Sequence, residues 1–247
     1  YPLIYAFEEL FGITSDVSLM ELTNTNMKLL RDLAYKAPGT FQHSLQVANL
    51  AEAAIFKIGG NALLVRAGAL YHDIGKMDDP QYFIENQNTG ANPHDTLPYE
   101  RSAQIIIQHV NKGVEMARKH RLPETVINFI RTHHGNTRVD YFYQSFLKNF
   151  PEQLVDENTF RYPGPIPFSK ETAVLMLADS VEAASRSLKK PDAQSISDLV
   201  ERIINYKLDQ NQLINSDITL KDIEIIKSIF KVMLIGIYHV RVDYVLK

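Results

Sequence analysis

Five histidines and two aspartates carry the chemistry this sequence offers: His43, His72–Asp73, His109, His133–His134 and Asp179. Each alone has an ordinary explanation. A lone helical histidine is usually a core or surface residue with a satisfied hydrogen bond. A histidine pair closing a helix suits the helix dipole. Asp179, within "LMLADSVEA", suits a buried hydrogen-bonding carboxylate. The set reads differently. Adjacent helical residues point about 100° apart, so His72 and Asp73 share one cavity only if that cavity is polar. Two such pairs with His43, His109 and Asp179 make seven nitrogen and oxygen donors. One metal ion rarely needs so many; two ions sharing a carboxylate and a water do.

The chain has no cysteine, so any metal must be held by these nitrogen and oxygen ligands, and no disulfide forms. With 26 basic and 29 acidic residues the net charge is -3, which argues against a broad nucleic-acid footprint and against a polymeric nucleic acid as partner. No apolar run reaches the roughly 18 residues needed to span a bilayer. The longest, "IFKVMLIGIYHVRV", is broken by Lys231, His239 and Arg241. The chain starts at Tyr1 rather than Met, which suits a piece of a longer protein.

The elements that must position these residues are helices punctuated by Gly and Pro. "MELTNTNMKLLRDLAYKA" reads as a first long helix. Thr40 is expected to cap the second, "FQHSLQVANLAEAAIFKI", in which Leu45, Ala48, Ala51 and Ile55 recur at helical spacing before Gly59–Gly60 end it. "NALLVRAGALYHDI" is a third helix, stopped by Gly75. A long polar stretch, "MDDPQYFIENQNTGANPHD", reads as a functional loop. "LPYERSAQIIIQHVNKG" and a separate short "GVEMARKHR" follow. "LPETVINFIRTHHG" has Pro123 in its first turn. "FRYPGPIPFSK" is a loop between helices, and Thr219 with Asp222 predicts a capping box before the last helix. No alternating strand pattern of useful length is present. The class is all-α: one helical bundle over 1–247, with an N-terminal helical segment at 1–35, a histidine-bearing core at 36–190 and additional C-terminal helices at 191–247.

The histidine and aspartate series, with "HDIGK", "NPHD", "HHGNT" and "FRYPGPIPFSKETAVLMLADSVEAASRSL", resembles the HD-domain phosphohydrolases, in the subset with extra histidines. Over nearly the whole chain it is similar to the cytoplasmic HD domain of the 7TM-HD family, which includes PgpH-type cyclic di-AMP phosphodiesterases. Two departures stand out: Asn136 within "HHGNT", and "DQNQL" at 209–213 where a Gly-Gln pair is expected.

The resemblance implies an HD-domain helical bundle holding two metal ions, with Asp73 bridging them. His43, His72 and Asp179 would complete one shell, and His109, His133 and His134 the other. It implies hydrolysis of cyclic di-AMP to pApA by a metal-bridging hydroxide, with Asp73 and Lys76 as catalytic residues. An all-N/O, histidine-rich site suits Fe or Mn better than Zn or Ni. It also implies a parent protein anchored in the membrane through segments outside this chain, its HD domain on the cytoplasmic face. Cyclic di-GMP is the rival substrate, but "HHGNTRVDYFY" lacks the Gly-Tyr-Pro signature of HD-GYP enzymes. A mononuclear nucleotidase would need only His43, His72–Asp73 and Asp179. A degenerate nucleotide-sensing domain would usually have lost donors.

Substrate contacts are expected at Lys76, Arg161, Gly164 and Tyr141. Lys76 is either a point-charge phosphate binder or a solvated lysine at a helix end. Arg161 and Gly164 either wall the pocket or form a plain crossover. Tyr141, Phe142 and Tyr143 either stack a base or pack in the core. Arg101 and Arg186 either meet phosphate or, the preferred reading, are surface helix arginines, and His94, His120 and His239 read as structural residues.

Overall fold

Residues 170–185 leave almost no face exposed: Thr172 to Asp179, Val181, Glu182 and Ser185 are all buried. A helix apolar nearly all round must be wrapped by others, and this one is. The computed structural model describes residues 8, 11, 13–87, 90, 92–189 and 191–239. Its helices are α1 (Asp16–Leu22), α2 (Lys28–Lys36), α3 (Pro38–Ile58), α4 (Ala62–Tyr71), α5 (Tyr99–Lys119), α6 (Glu124–Thr132), α7 (Asp140–Asn149), α8 (Lys170–Ser185), α9 (Ala193–Asp209) and α10 (Leu220–His239). Among the described residues there is no strand, only an isolated bridge between Arg138 and Arg161. The all-α class expected from the sequence holds.

The long α3 packs against α2, α4, α8 and α10, while α8 also meets α4, α6 and α9. Their shared core includes Val47, Leu50, Ile55, Leu70, Leu177 and Phe230, each at 0% exposure, so these helices cannot part without opening the molecule. A second, smaller cluster of Ala103, Phe142, Phe146 and Phe160 ties α7 to α5. Lys170–Ser185 starts at a capping box of Ser169 and Thr172. The expected box before α10 is present: Thr219 N donates to Asp222 Oδ2 at 3.0 Å and Asp222 N to Thr219 Oγ1 at 3.1 Å.

Several boundaries differ from the sequence reading. The first long helix is two, α1 and α2, because Asn24 Oδ1 accepts from Asn26 N and turns the chain between them. Thr40 does not cap α3. Pro38 occupies the first turn, and Thr40, already inside the helix, donates its hydroxyl to Glu85 Oε1 at 3.1 Å. Pro123 stands at the N-cap of α6 rather than in its first turn. The third helix ends at Tyr71, before Gly75, and resumes as a 3₁₀ turn over Ile74–Met77.

Gly113 does not divide 97–121 into two helices; α5 runs through it. The reason is tertiary. A Cβ on Gly75 would lie 1.9 Å from the His109 carbonyl oxygen and 2.5 Å from Gly113 N. The two glycines let the turn after Asp73 press against the backbone of α5, which brings His109 to the His72–Asp73 pair. The polar stretch at 77–95 is three short 3₁₀ turns, Pro80–Tyr82, Ile84–Asn86 and Pro93–Thr96, folded back over the start of α3.

Candidate metal centre

All seven donors meet in one place. His43 comes from α3, His72 and Asp73 from the end of α4, His109 from α5, His133 and His134 from the end of α6, and Asp179 from α8. His72 and His133 are fully buried, Asp73 is 1% exposed, and His43, His109 and Asp179 are nearly so. Donor atoms cluster in three groups: His109 with His133 and His134; His43 with His72 and Asp179; His72 with Asp73 and His133.

Asp73 lies between the first two groups. Its Oδ2 is 3.3 Å from His72 Nε2 and 3.6 Å from His43 Nε2. Its Oδ1 is 3.3 Å from His109 Nε2 and 3.5 Å from His133 Nε2. Asp179 Oδ1 is 3.0 Å from His43 Nε2 and 3.7 Å from His72 Nε2. On the far side Asp179 Oδ2 is 3.9 Å from His134 Nδ1.

The rings are aimed by the backbone. Nδ1 of His72, His109 and His133 each faces the carbonyl three residues back: Ala69 at 2.7 Å, Ile106 at 2.6 Å and Ile130 at 2.9 Å. Donation of Nδ1–H to that carbonyl leaves Nε2 directed into the cluster. His43 is aimed by a side chain: Glu182 Oε2 is 2.5 Å from its Nδ1. Arg186 holds Glu182 from behind, with Nη2 2.7 Å from Oε1.

The electrostatics divide the cluster. Burial opposes charge on His72, but Asp73 and Asp179 outweigh it and push its pKa up to about 10. His43 is likewise raised, burial being overcome by Asp179 and Glu182. Burial lowers His133 to about 4, and burial with the His133 charge holds His134 well below the usual histidine value. Burial works against ionisation of Asp73, yet the Lys76 and His72 charges keep it well below the ordinary carboxylate range.

A metal ion fits this donor set. His72 Nε2 and Asp73 Oδ1 are buried and make no hydrogen bond. A buried polar atom left unpaired costs roughly 1–3 kcal/mol, and imidazole and carboxylate are the ligands that nitrogen- and oxygen-binding ions take.

Above the cluster opens a cavity of about 580 Å³, lined by His43, His134 and Asp179 together with Lys76, Arg186 and Lys207. Of the expected substrate contacts, Lys76 lines it, with Nζ 2.6 Å from Asp73 Oδ2 and 2.9 Å from Glu85 Oε1. Arg161, Gly164 and Tyr141 do not line it. Arg161 pairs with Glu157 and donates to Asn136 O at 3.1 Å. Gly164 sits near the carbonyl of Gly135, and Tyr141 is 73% exposed. Phe142 belongs to the second core cluster, and Tyr143 lies 4.0 Å beneath the Arg138 guanidinium. His94 Nε2 faces Tyr82 O at 3.0 Å, His120 caps the end of α5, and the side chain of His239 lies outside the described residues.

Sequence reasoning missed Glu182, Glu85 and Gln212, while Tyr162 of the "YPGP" loop lines the cavity. Tyr162 stacks on His134 at 4.2 Å between centroids. Asn136 lies in "HHGNT" and Gln212 in "DQNQL", the two stretches that depart from the family pattern, and they bond to each other: Gln212 Nε2 donates to Asn136 Oδ1 at 2.6 Å and Asn136 N to Gln212 Oε1 at 3.2 Å. Together they brace the turn that follows His133–His134. Glu182 had a faint signal, since it stands one helical turn beyond Asp179.

An all-helical fold that gathers five histidines and two aspartates in one cluster, all but His134 buried, is a scaffold for metal ions. The HD-domain family model matches residues 40–184, and the chain belongs to the HD-domain family, whose members bind divalent metals. Cyclic-di-AMP phosphodiesterase PgpH of Listeria monocytogenes is 44% identical over 238 residues, covering 96% of this chain and 33% of that protein. Its Bacillus subtilis counterpart is 45% identical over the same length and shares. The chain thus spans about a third of the length of these relatives. The crystal structure of the L. monocytogenes PgpH HD domain in complex with cyclic-di-AMP matches with a TM-score of 0.83 at 44% identity, covering 87% of this chain and 100% of that one. Among the described residues no helix is long and apolar enough to cross a membrane.

Proposed function

We propose that this chain is the catalytic HD domain of a metal-dependent phosphodiesterase that hydrolyses cyclic di-AMP to linear pApA. The carrying observation is the position of Asp73, whose two carboxylate oxygens face different histidine pairs. Two relatives named as cyclic-di-AMP phosphodiesterases and a structural neighbour in complex with cyclic-di-AMP support the substrate.

In this reading His43, His72 and Asp179 would hold one ion, His109, His133 and His134 a second, and Asp73 both. Fe or Mn suits the donors best. When bound, two such ions supply an acidified water at neutral pH and positive charge for the phosphoryl oxygens. The chain's own residues do the rest. Backbone carbonyls and Glu182 hold the imidazoles in their ligating tautomers. Lys76, already beside Asp73, presents an ammonium to a phosphate oxygen at the cavity floor. Water adds at phosphorus, the bond from phosphorus to the 3′ oxygen breaks, and that oxygen leaves as a hydroxyl. The parent protein would be membrane-anchored through segments outside this chain, with this domain on the cytoplasmic side.

The test is turnover of the Mn-loaded or anaerobic Fe-loaded chain with cyclic di-AMP and cyclic di-GMP in competition, products separated by chromatography. Preferential pApA formation, lost together with metal in Asp73→Ala, is expected. Full activity and metal content in Asp73→Ala would overturn the scheme. Two bound ions without cleavage of either dinucleotide would overturn the substrate.

A further inference from the structure

Lys207 is a buried cation with nothing to hold. It lies in the last turns of α9, 8% exposed, and lines the same cavity as His43, His134 and Asp179. Among the described residues its ammonium makes no hydrogen bond and no ion pair, while burial pulls its pKa down and Asp179 and Asp140 oppose the shift. The other cations around the cavity are committed. Lys76 pairs with Asp73 at 2.6 Å and Glu85 at 2.9 Å. Arg138 pairs with Asp140 at 2.6 Å and Glu157 at 3.1 Å. Arg186 pairs with Glu182 at 2.7 Å. An ammonium that faces the cavity with no carboxylate beside it is free to take an anion that enters.

We propose that Lys207 receives the second, non-reacting phosphate of a cyclic dinucleotide. This rests on the phosphodiesterase reading. A cyclic dinucleotide carries two phosphodiesters on opposite sides of one ring. When one lies at the histidine–aspartate cluster, the other must go elsewhere in the cavity still bearing its charge. The cavity, at about 580 Å³, is within the range of small-molecule sites, and Lys207 is the uncommitted cation on its wall. A diester with a single phosphate makes no use of it. Lys207 therefore discriminates between cyclic dinucleotides and single diesters, and contributes to binding rather than to bond cleavage.

The experiment compares wild type, Lys207→Met and Lys207→Arg as metal-loaded chains. It reads KM and kcat for cyclic di-AMP, the inhibition constant of adenylyl-3′,5′-adenosine (the same two adenosines joined by one phosphate), metal content and thermal midpoint. Lys207→Met should raise KM for cyclic di-AMP roughly 10- to 100-fold, the loss of one charge-assisted contact. Its kcat, metal content and inhibition by the single-phosphate compound should stay unchanged, and Lys207→Arg should recover most of the loss. The thermal midpoint should hold, because no hydrogen bond or ion pair is lost; a structural lysine would lower it. Unchanged KM in Lys207→Met, or an equal loss toward both compounds, overturns the inference while wild-type turnover upholds the phosphodiesterase reading. Wild type that leaves cyclic di-AMP intact overturns that reading, and this inference with it.

Discussion

Glu182 of α8 and His43 of α3 meet as a carboxylate–imidazole pair, with Oε2 2.5 Å from Nδ1 across 139 positions of sequence. The contact sets which nitrogen of His43 faces Asp179 and Asp73. Glu182→Gln keeps the shape and removes the charge. Supporting carboxylates of this kind are worth about 10- to 100-fold in metal affinity. Competition with a chelator should show a loss of that size on the His43 side, with the fold intact by circular dichroism. Wild-type affinity would remove Glu182 from the site's design.

Metal loading should release protons. Without metal, the raised pKa of His72, up to about 10, keeps its imidazole protonated at neutral pH, and His43 is raised in the same direction, whereas His133, at about 4, and His134 are neutral. A metal must displace the His72 proton and any that His43 holds. Affinity on the His43–His72 side therefore rises with pH. A raised histidine stabilises the metal-free fold fully below its unfolded value of about 6.5 and loses that contribution as pH climbs through its folded value. The metal-free form thus weakens as metal binding tightens. The midpoint gap between loaded and chelated protein should widen from pH 6 to 8. Calorimetric titration at pH 7 in buffers of differing ionisation enthalpy should read at least one proton released per fully loaded chain. No release would contradict the assignment.

Gly75→Ala tests the backbone contact that brings His109 in. The new methyl would fall 1.9 Å from the His109 carbonyl oxygen, so the Ile74–Met77 turn and α5 must separate. The expected cost is about 1–3 kcal/mol, as for other overpacked interiors, read as a lowered urea midpoint, together with loss of metal from the His109 side. An unchanged midpoint would show that the contact yields freely.

Lys76→Met separates catalysis from assembly. Lys76 touches Asp73 and Glu85 but supplies no metal ligand. Turnover should fall by about 100-fold, the scale for removing one group that stabilises developing charge, while metal content stays at wild type. Unchanged turnover would make Lys76 a bracing residue between the Asp73 turn and the loop of Glu85.

Much of the fold was legible along the chain. Gly59–Gly60 close α3, the Thr219–Asp222 box opens α10, and the proline-rich run at 160–170 is a connection between helices. Where local signals misled, a contact from elsewhere had overruled them. Gly113 looked like a break because glycine destabilises helices, yet α5 runs through it because Gly75 needs the space. Thr40 looked like a cap, yet its hydroxyl was taken by Glu85.

The site divides the same way. The sequence by itself determined the donor types, the positions of His72–Asp73 and His133–His134 at helix ends and the exclusion of thiolate chemistry, because residue identity and local helix geometry suffice for those. Only the tertiary structure decided that Asp73 turns one oxygen to each histidine pair, that Glu182 aims His43, that Gln212 and Asn136 brace the histidine turn, and that Lys207 stands unpaired in the cavity. Helical periodicity tells which residues share a face. Which faces meet is set by packing between segments far apart in the chain, and no local pattern records it.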